Sequence, residues 1–354
     1  MEEFKILIFF ITIIISGIVF NKLAIKNNFL LNYNGSIHQK FTKNKLVPLT
    51  GGFLLLSLLL LNFSINKYLD IFIILFFLLG FLGDHNFLKS AKIRFYLQLI
   101  FLLILVNVCN LSIHEIRFDF FDSLLKNEIF NISFTILCLM ILINGTNFID
   151  GCNTLVVGYF LVVSLVLFKL NLLNTILIEE IMIYYLFSIL LAIFILNFFQ
   201  KLFLGDSGAY ILSLLFGIIL IDLYKSEPSI SPYFVCILLW YPSFEVFFSI
   251  IRKINSKTSV LKPDTQHLHQ LIYFFLNKKI TKINSILINS LTSNIINAYN
   301  LFIFLLASNY FYKSEILIYL IICNIIVYCF LYISLYKFRF PKKKFKNKNF
   351  NVYK

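Results

Sequence analysis

Charge is scarce in this chain. Asp, Glu, Lys and Arg make up only 14% of it, while 60% is hydrophobic and 43 residues are Phe. That balance leaves too little polar surface for a soluble globule of 354 residues. Metal-ligand spacing is missing as well: Cys109, Cys138, Cys152, Cys236, Cys323 and Cys329 lie in or beside apolar runs and read as small hydrophobic residues. No zinc cluster, G-x-S-x-G elbow or P-loop occurs, and no internal repeat of the inverted-transporter kind. The first twenty residues lack the positive start and small-residue cleavage site of a secretory leader, with Glu2 and Glu3 at the beginning, and so predict an uncleaved anchor.

What is present is a succession of apolar runs matched to a hydrocarbon core about 30 Å thick. Spans are expected near 4–22, 49–66, 69–83, 93–112, 129–147, 154–171, 181–199, 207–222, 231–251, 294–311 and 315–336. The chain is therefore predicted to be all-α and polytopic, with about ten or eleven transmembrane helices. Residues 1–336 read as a single integral membrane domain and 337–354 as a basic tail.

The basic residues orient the spans. The 22–47 connection carries Lys22, Lys26, Lys40, Lys43 and Lys45 and no acid, whereas 113–128 carries Glu115, Asp119, Asp122 and Glu128 against Arg117 and Lys126. The positive-inside rule then places the loops near 22–47, 84–94, 144–153, 199–207 and 252–293 in the cytoplasm, with the N-terminus outside and the C-terminus cytoplasmic. The formal charge of +14 is thus mostly topology and calls for no nucleic acid. A basic juxtamembrane tail gains about 1 kcal/mol per charge at an anionic bilayer, so 337–354 is expected to contact lipid.

Polar residues gather in the loops assigned to the cytoplasm. In "NGTNFIDGCNTL", Asn144, Asn147, Asp150 and Asn153 recur at steps of three, which either gathers amides and a carboxylate on one side or marks a polar helix end stopped by Gly151. In "LFLGDSGAY", Asp206 is either a helix cap or a hard-cation ligand, and the two roles are compatible. "KPDTQHLHQL" supplies His267 and His269, either solvated or donating to phosphate oxygens. "HQKFTKNKLVPLTGG" brings His38, Lys45, Pro48, Gly51 and Gly52, where the charge also satisfies topology alone. "FLGDHNFLKSAKIR" ends an apolar run on Asp84 and continues to Lys89, Lys92 and Arg94.

All of these segments fall on one expected membrane face. A charge at the bilayer centre costs about 2.5–3.5 kcal/mol and less near the interface, so acids at several span ends suggest a shared site. A set of Asp, amide, His and Lys without a nucleophilic triad suits phosphoryl transfer, where positioning and charge neutralisation dominate. The rival is a transporter or lipid-carrier binding protein without chemistry, which would hold its charges nearer the bilayer midplane.

In order and spacing the segments resemble the polyprenyl-phosphate N-acetylhexosamine-1-phosphate transferases. Lys45 to Gly52 is similar to K-x-x-P-x-x-G-G, the Asp84 region to an Asp-Asp pair, "NGTNFIDG" to N-x-x-N-x-x-D-G, "FLGDSG" to a Gly-Asp segment and "PDTQHLHQ" to P-D-x-x-H-x-H-H. The resemblance implies a bacterial inner-membrane enzyme with its active site on the cytoplasmic face. Such an enzyme moves sugar 1-phosphate from a UDP-N-acetylhexosamine to undecaprenyl phosphate, with Mg²⁺ (or Mn²⁺) and release of UMP, as the first membrane step of envelope polysaccharide such as lipopolysaccharide. It implies catalytic roles for Asp84, Asp206 and Lys45, and metal ligation by Asp206 and Asp150. Substrate contacts would come from Asn144, Asn147, Asp150, Asn153, His267, His269, Lys92 and Arg94. The chain departs from the pattern at Gly83, where the first Asp of the pair would stand, at Asn153 for an Asp, at Gln270 for a His, and in "NFFQKLFLGD", which lacks the usual Pro and Gly.

Overall fold

The computed structural model describes residues 2–31, 47–62, 67–172, 180–259 and 264–341. They form Glu2–Lys26 (α1), Gly51–Asn62 (α2), Lys67–Asp84 (α3), Ala91–Val108 (α4), Asp119–Leu125 (α5), Glu128–Ile149 (α6) and Leu155–Lys169 (α7). Glu180–Phe198 (α8), Gly205–Ser226 (α9), Pro232–Leu238 (α10), Trp240–Asn255 (α11), Leu268–Lys279 (α12), Ser285–Ser308 (α13) and Ser314–Arg339 (α14) follow, and no strand occurs among the described residues. The protein is all-helical, and α1, α4, α6, α9, α13 and α14 are each long and apolar enough to cross a bilayer.

Every expected span overlaps a helix in its described residues, but fewer pass as complete crossings than the ten or eleven expected. Helices α2, α7 and α8 are apolar and shorter, and α3 carries Lys67, Asp70 and Asp84 within its length. The 231–251 span is broken: α10 and α11 meet at 76°. Pro242 explains the break, since it has no N–H to bond back into α10 and is tolerated only in a first helical turn, which α11 starts afresh at Trp240. Two helices lie inside expected loops, α5 within 113–128 and α12 within 252–293. Helix α13 begins at Ser285, well before the expected 294, because Asn289, Ser290, Thr292 and Ser293 are polar by sequence yet buried.

Helix α9 is the axis. Its apolar window is 94% buried, against 17% for α1 and 22% for α4 and α14, as befits a helix that is hydrophobic all round and one that faces lipid on most sides. Helices α2, α3, α6 and α7 pack on α9. The α3–α9 crossing is so close that a Cβ at Gly80 would lie 2.4 Å from the Ser207 Cα, so only glycine admits it. One turn later α3 ends on Asp84, delivered to the N-terminus of α9. At that end α1 runs in beside Thr50, whose hydroxyl bonds to Asn21, and α14 arrives with Arg339 donating to the Thr265 carbonyl. The opposite end is tied by Arg117, which donates to the carbonyls of Pro228, Ile230 and Tyr312.

Candidate functional site

The first turn of a helix has backbone N–H groups with no partner and the positive end of the helix dipole. Asp84 answers both at α9. Its Oδ1 accepts the Asp206 N–H at 2.9 Å, and its Oδ2 accepts the Ser207 N–H at 3.2 Å and the Ser207 hydroxyl at 3.0 Å. Both oxygens therefore turn toward protein. The "VPLTGG" stretch lies along the same turn: Phe203 donates to the Pro48 carbonyl at 2.9 Å, Gly51 to Phe203 at 3.0 Å and Gly52 to Leu204 at 3.2 Å. Lys45, just upstream, lies outside the described residues.

Asp206, inside the first turn of α9, aims its carboxylate away from the helix. Asn147, in the last turn of α6, donates to Oδ1 at 2.7 Å, and Arg94 pairs with Oδ2. Arg94 belongs to the first turn of α4, which Ser90 caps at the Ile93 N–H. A Cβ at Gly83 would lie 2.7 Å from Arg94 Nη1 and 3.3 Å from Asp206 Oδ2. The missing carboxylate of the expected pair thus leaves space that the guanidinium uses. Asp150 is the C-cap of α6. Burial, followed by the charges of Asp206 and Asp84, holds its carboxyl well above the usual carboxylate range.

The next residues of the same α6 turn face a second group. The Phe148 ring lies 5.4 Å from that of His267 and 5.8 Å from Lys253 Nζ. Gly151 lets His269 approach until a Cβ there would sit 2.3 Å from Nε2. His267 stacks on His269 at 5.7 Å, nearly parallel. Buried Glu245 of α11 fixes this pair, since its Oε2 meets His267 Nδ1 at 3.0 Å and its Oε1 accepts the Leu268 N–H at 3.1 Å, which also caps α12. Arg252 donates to Asp264 at 2.9 Å and to Gln266 at 2.7 Å, and Lys253 lies 3.6 Å from Asp264. Gln270 closes a capping box with the His267 backbone, a structural use for the residue that replaces the pattern's last histidine.

The structure thus brings Asp84, Arg94, Asn147, Asp150, Asp206, His267 and His269 around the last turn of α6. Other expected site residues lie apart. Asn144 donates to Gln98 at 3.0 Å and to the Met140 carbonyl, one turn back between α4 and α6. Asn153 is buried beyond the turn, with its N–H on Asn289 at 2.7 Å. Lys92 is exposed on α4. Glu245, Arg252 and Lys253 were not singled out by sequence, and Asp264 entered only as the Asp of "PDTQHLHQ" without a role. The available signal was their spacing, because residues 245, 252 and 253 stand seven and eight apart and share one helical face.

The two halves differ electrically. Around Asp206 the carboxyl groups of Asp84 and Asp150 lie near, and one guanidinium, that of Arg94, pairs with it. Around His267 the acids Glu245 and Asp264 are matched by Arg252, Lys253 and the imidazoles. Among the described residues no three His, Cys, Asp or Glu side chains form a ready-made metal cage. The acid-rich surroundings that hold the Asp150 carboxyl up beside Asp206 suit a hard cation of the kind that takes one or two protein carboxylates and completes its shell with phosphate and water.

Residues 67–224 match the profile of glycosyl transferase family 4. The chain is 30% identical over 205 residues to the probable undecaprenyl-phosphate N-acetylglucosaminyl 1-phosphate transferase of Bacillus subtilis (strain 168), covering 56% of this chain and 55% of that protein. It is 25% identical over 242 residues to the undecaprenyl-phosphate alpha-N-acetylglucosaminyl 1-phosphate transferases of Salmonella typhi and Salmonella typhimurium, covering 64% of this chain and 65% of each. The matched region spans between about half and two thirds of the length of these curated relatives.

Proposed function

We propose that this chain, a member of glycosyl transferase family 4 by its residues 67–224, moves a sugar 1-phosphate of the N-acetylhexosamine class from a UDP-sugar to undecaprenyl phosphate and releases UMP. The observation that carries this reading is the meeting of two unlike walls at the last turn of α6. One is a carboxylate cluster with Asp206, Asp150 and Arg94, and the other is the His267, His269, Arg252 and Lys253 wall. A diphosphate and a lipid phosphate must approach each other against their own charge, and a pocket with a cation-seeking half and a basic half offsets it. The relatives' names supply the acceptor, undecaprenyl phosphate, and the transferred group, N-acetylglucosamine 1-phosphate. The acids and bases stand at helix ends, which favours chemistry at one membrane surface over carriage through the midplane.

In this mechanism Asp206 and Asp150 would hold Mg²⁺ or Mn²⁺, which would supply neutralising charge to the diphosphate. Asn147 fixes the Asp206 carboxylate. Asp84 acts through α9, holding the Asp206 backbone in place. Lys45 receives the acceptor phosphate, Arg94 contacts the diphosphate from the α4 side, and His267 and His269 contact it from the opposite wall. The acceptor is a phosphomonoester with a second pKa of about 6 and is largely dianionic at neutral pH. One of its oxygens attacks the sugar-side phosphorus, the bond to the UMP oxygen breaks and UMP departs, so no protein base needs to take a proton. The site then faces the cytoplasm of a bacterial inner membrane, at the first membrane step of envelope polysaccharide synthesis. The test is detergent-purified protein with Mg²⁺, undecaprenyl phosphate and a panel of UDP-sugars. UMP release and lipid-linked product are expected with at least one N-acetylhexosamine donor, and a folded sample inert toward every donor would sink the proposal.

A further inference from the structure

Asp206 is occupied at both oxygens, but only one partner is charged. Asn147 can stay on Oδ1 while a cation binds, because a carboxylate oxygen has a second lone pair. Arg94 cannot stay on Oδ2: a divalent ion there would sit against a guanidinium in a partly buried site, where like charges repel strongly. Gly83 leaves Arg94 room at Oδ2, since a Cβ there would lie 2.7 Å from its Nη1 and 3.3 Å from Oδ2 and would press the guanidinium aside. The hold is also single-pointed. The buried Nε of Arg94 donates to nothing among the described residues, so the paired donors that suit a phosphate are not used by the carboxylate.

We propose that Gly83 and Arg94 form a latch on Asp206. In the free protein the guanidinium keeps a divalent cation off Oδ2, and an arriving diphosphate takes the guanidinium in a two-point contact and opens that oxygen, so diphosphate and cation load together. The inference rests on the transferase reading above and adds an order of events to it. It also gives Gly83 a purpose: the glycine is what lets the latch close.

The test titrates Mn²⁺ into the detergent-purified full chain, read by electron paramagnetic resonance, with and without uridine diphosphate. Gly83→Ala keeps every charge and crowds Arg94 at Oδ2, while Arg94→Gln removes the latch outright. Without nucleotide, both variants are expected to bind Mn²⁺ about tenfold more tightly than the unaltered chain, a difference that closes once uridine diphosphate is bound. If both variants, shown folded by thermal unfolding, bind Mn²⁺ no more tightly than the unaltered chain, the latch is overturned. Should Gly83→Ala fail to fold, Arg94→Gln decides the matter alone. Absence of Mn²⁺ from every sample that binds the nucleotide overturns both the latch and metal at Asp206. Failure of uridine diphosphate to bind at all counts against the transferase reading, while the nucleotide-free Mn²⁺ comparison still decides the latch.

Discussion

Two acids meet at the N-terminus of α9 and do different work. Asp84 spends both oxygens on backbone and hydroxyl donors of Asp206 and Ser207, so Asp84→Ala is expected to lose about 1–2 kcal/mol of stability, read as a lower unfolding temperature. Asp206 supports no backbone, and its pair with Arg94 is partly exposed. Asp206→Asn is expected to unfold within about 1 kcal/mol of the unaltered chain while turnover falls about a hundredfold or more. Glu245 separates likewise: Glu245→Ala leaves His267 Nδ1 and the Leu268 N–H facing a void and is expected to cost about 3 kcal/mol, whereas Glu245→Gln keeps the fold. Sequence alone pointed to Asp206, Asn147 and the histidines because polar residues in an apolar chain stand out. It passed over Glu245, whose neighbours Phe244, Val246, Phe247 and Phe248 make the run read as lipid-facing. Nor could it foretell the use of Gly83, which depends on an arginine arriving from another helix.

Among the elements, hydropathy located the membrane helices well and the helices at the surface poorly. Helix α12 escaped notice because its apolar face is one side of a short, basic-ended stretch, and the α10–α11 break because a 20-residue apolar run looks continuous until Pro242 is placed. The α11–α12 connection has its own acid signature. Burial raises the Asp264 carboxyl, but the Gln266 N–H and the charges of His267, Arg252 and Lys253 outweigh it and hold the group below its ordinary value. A carboxyl depressed on folding contributes stability that is fully present above its unfolded pKa of about 3.9 and is lost as pH falls through its folded value. Amide protection of residues 264–268 is therefore expected to hold from pH 7 to about pH 5 and to fall on further acidification, and Asp264→Asn is expected to flatten that profile. Hydrogen exchange across this range reads it directly.

At the scale of the molecule, α1 and α14 both run toward the end that carries the site, as an odd number of crossings requires, and the described residues of the 84–94, 144–153 and 199–207 loops assigned to the cytoplasm are at that same end. A cysteine at Lys257→Cys in a background without the native cysteines is expected to resist a membrane-impermeant maleimide in intact cells and to react in opened ones. A cysteine at Asp119→Cys is expected to react in both; the reverse pattern would invert the membrane orientation. The central claim, however, concerns which bond breaks. A UDP-N-acetylhexosamine carrying ³²P only at the sugar-side phosphorus distinguishes sugar-phosphate transfer from transfer of the sugar alone. With purified protein, Mg²⁺ and undecaprenyl phosphate, the label is predicted in the organic-extractable lipid while unlabelled UMP appears in water. Label left in aqueous UDP, with unlabelled sugar on the lipid, would contradict the account.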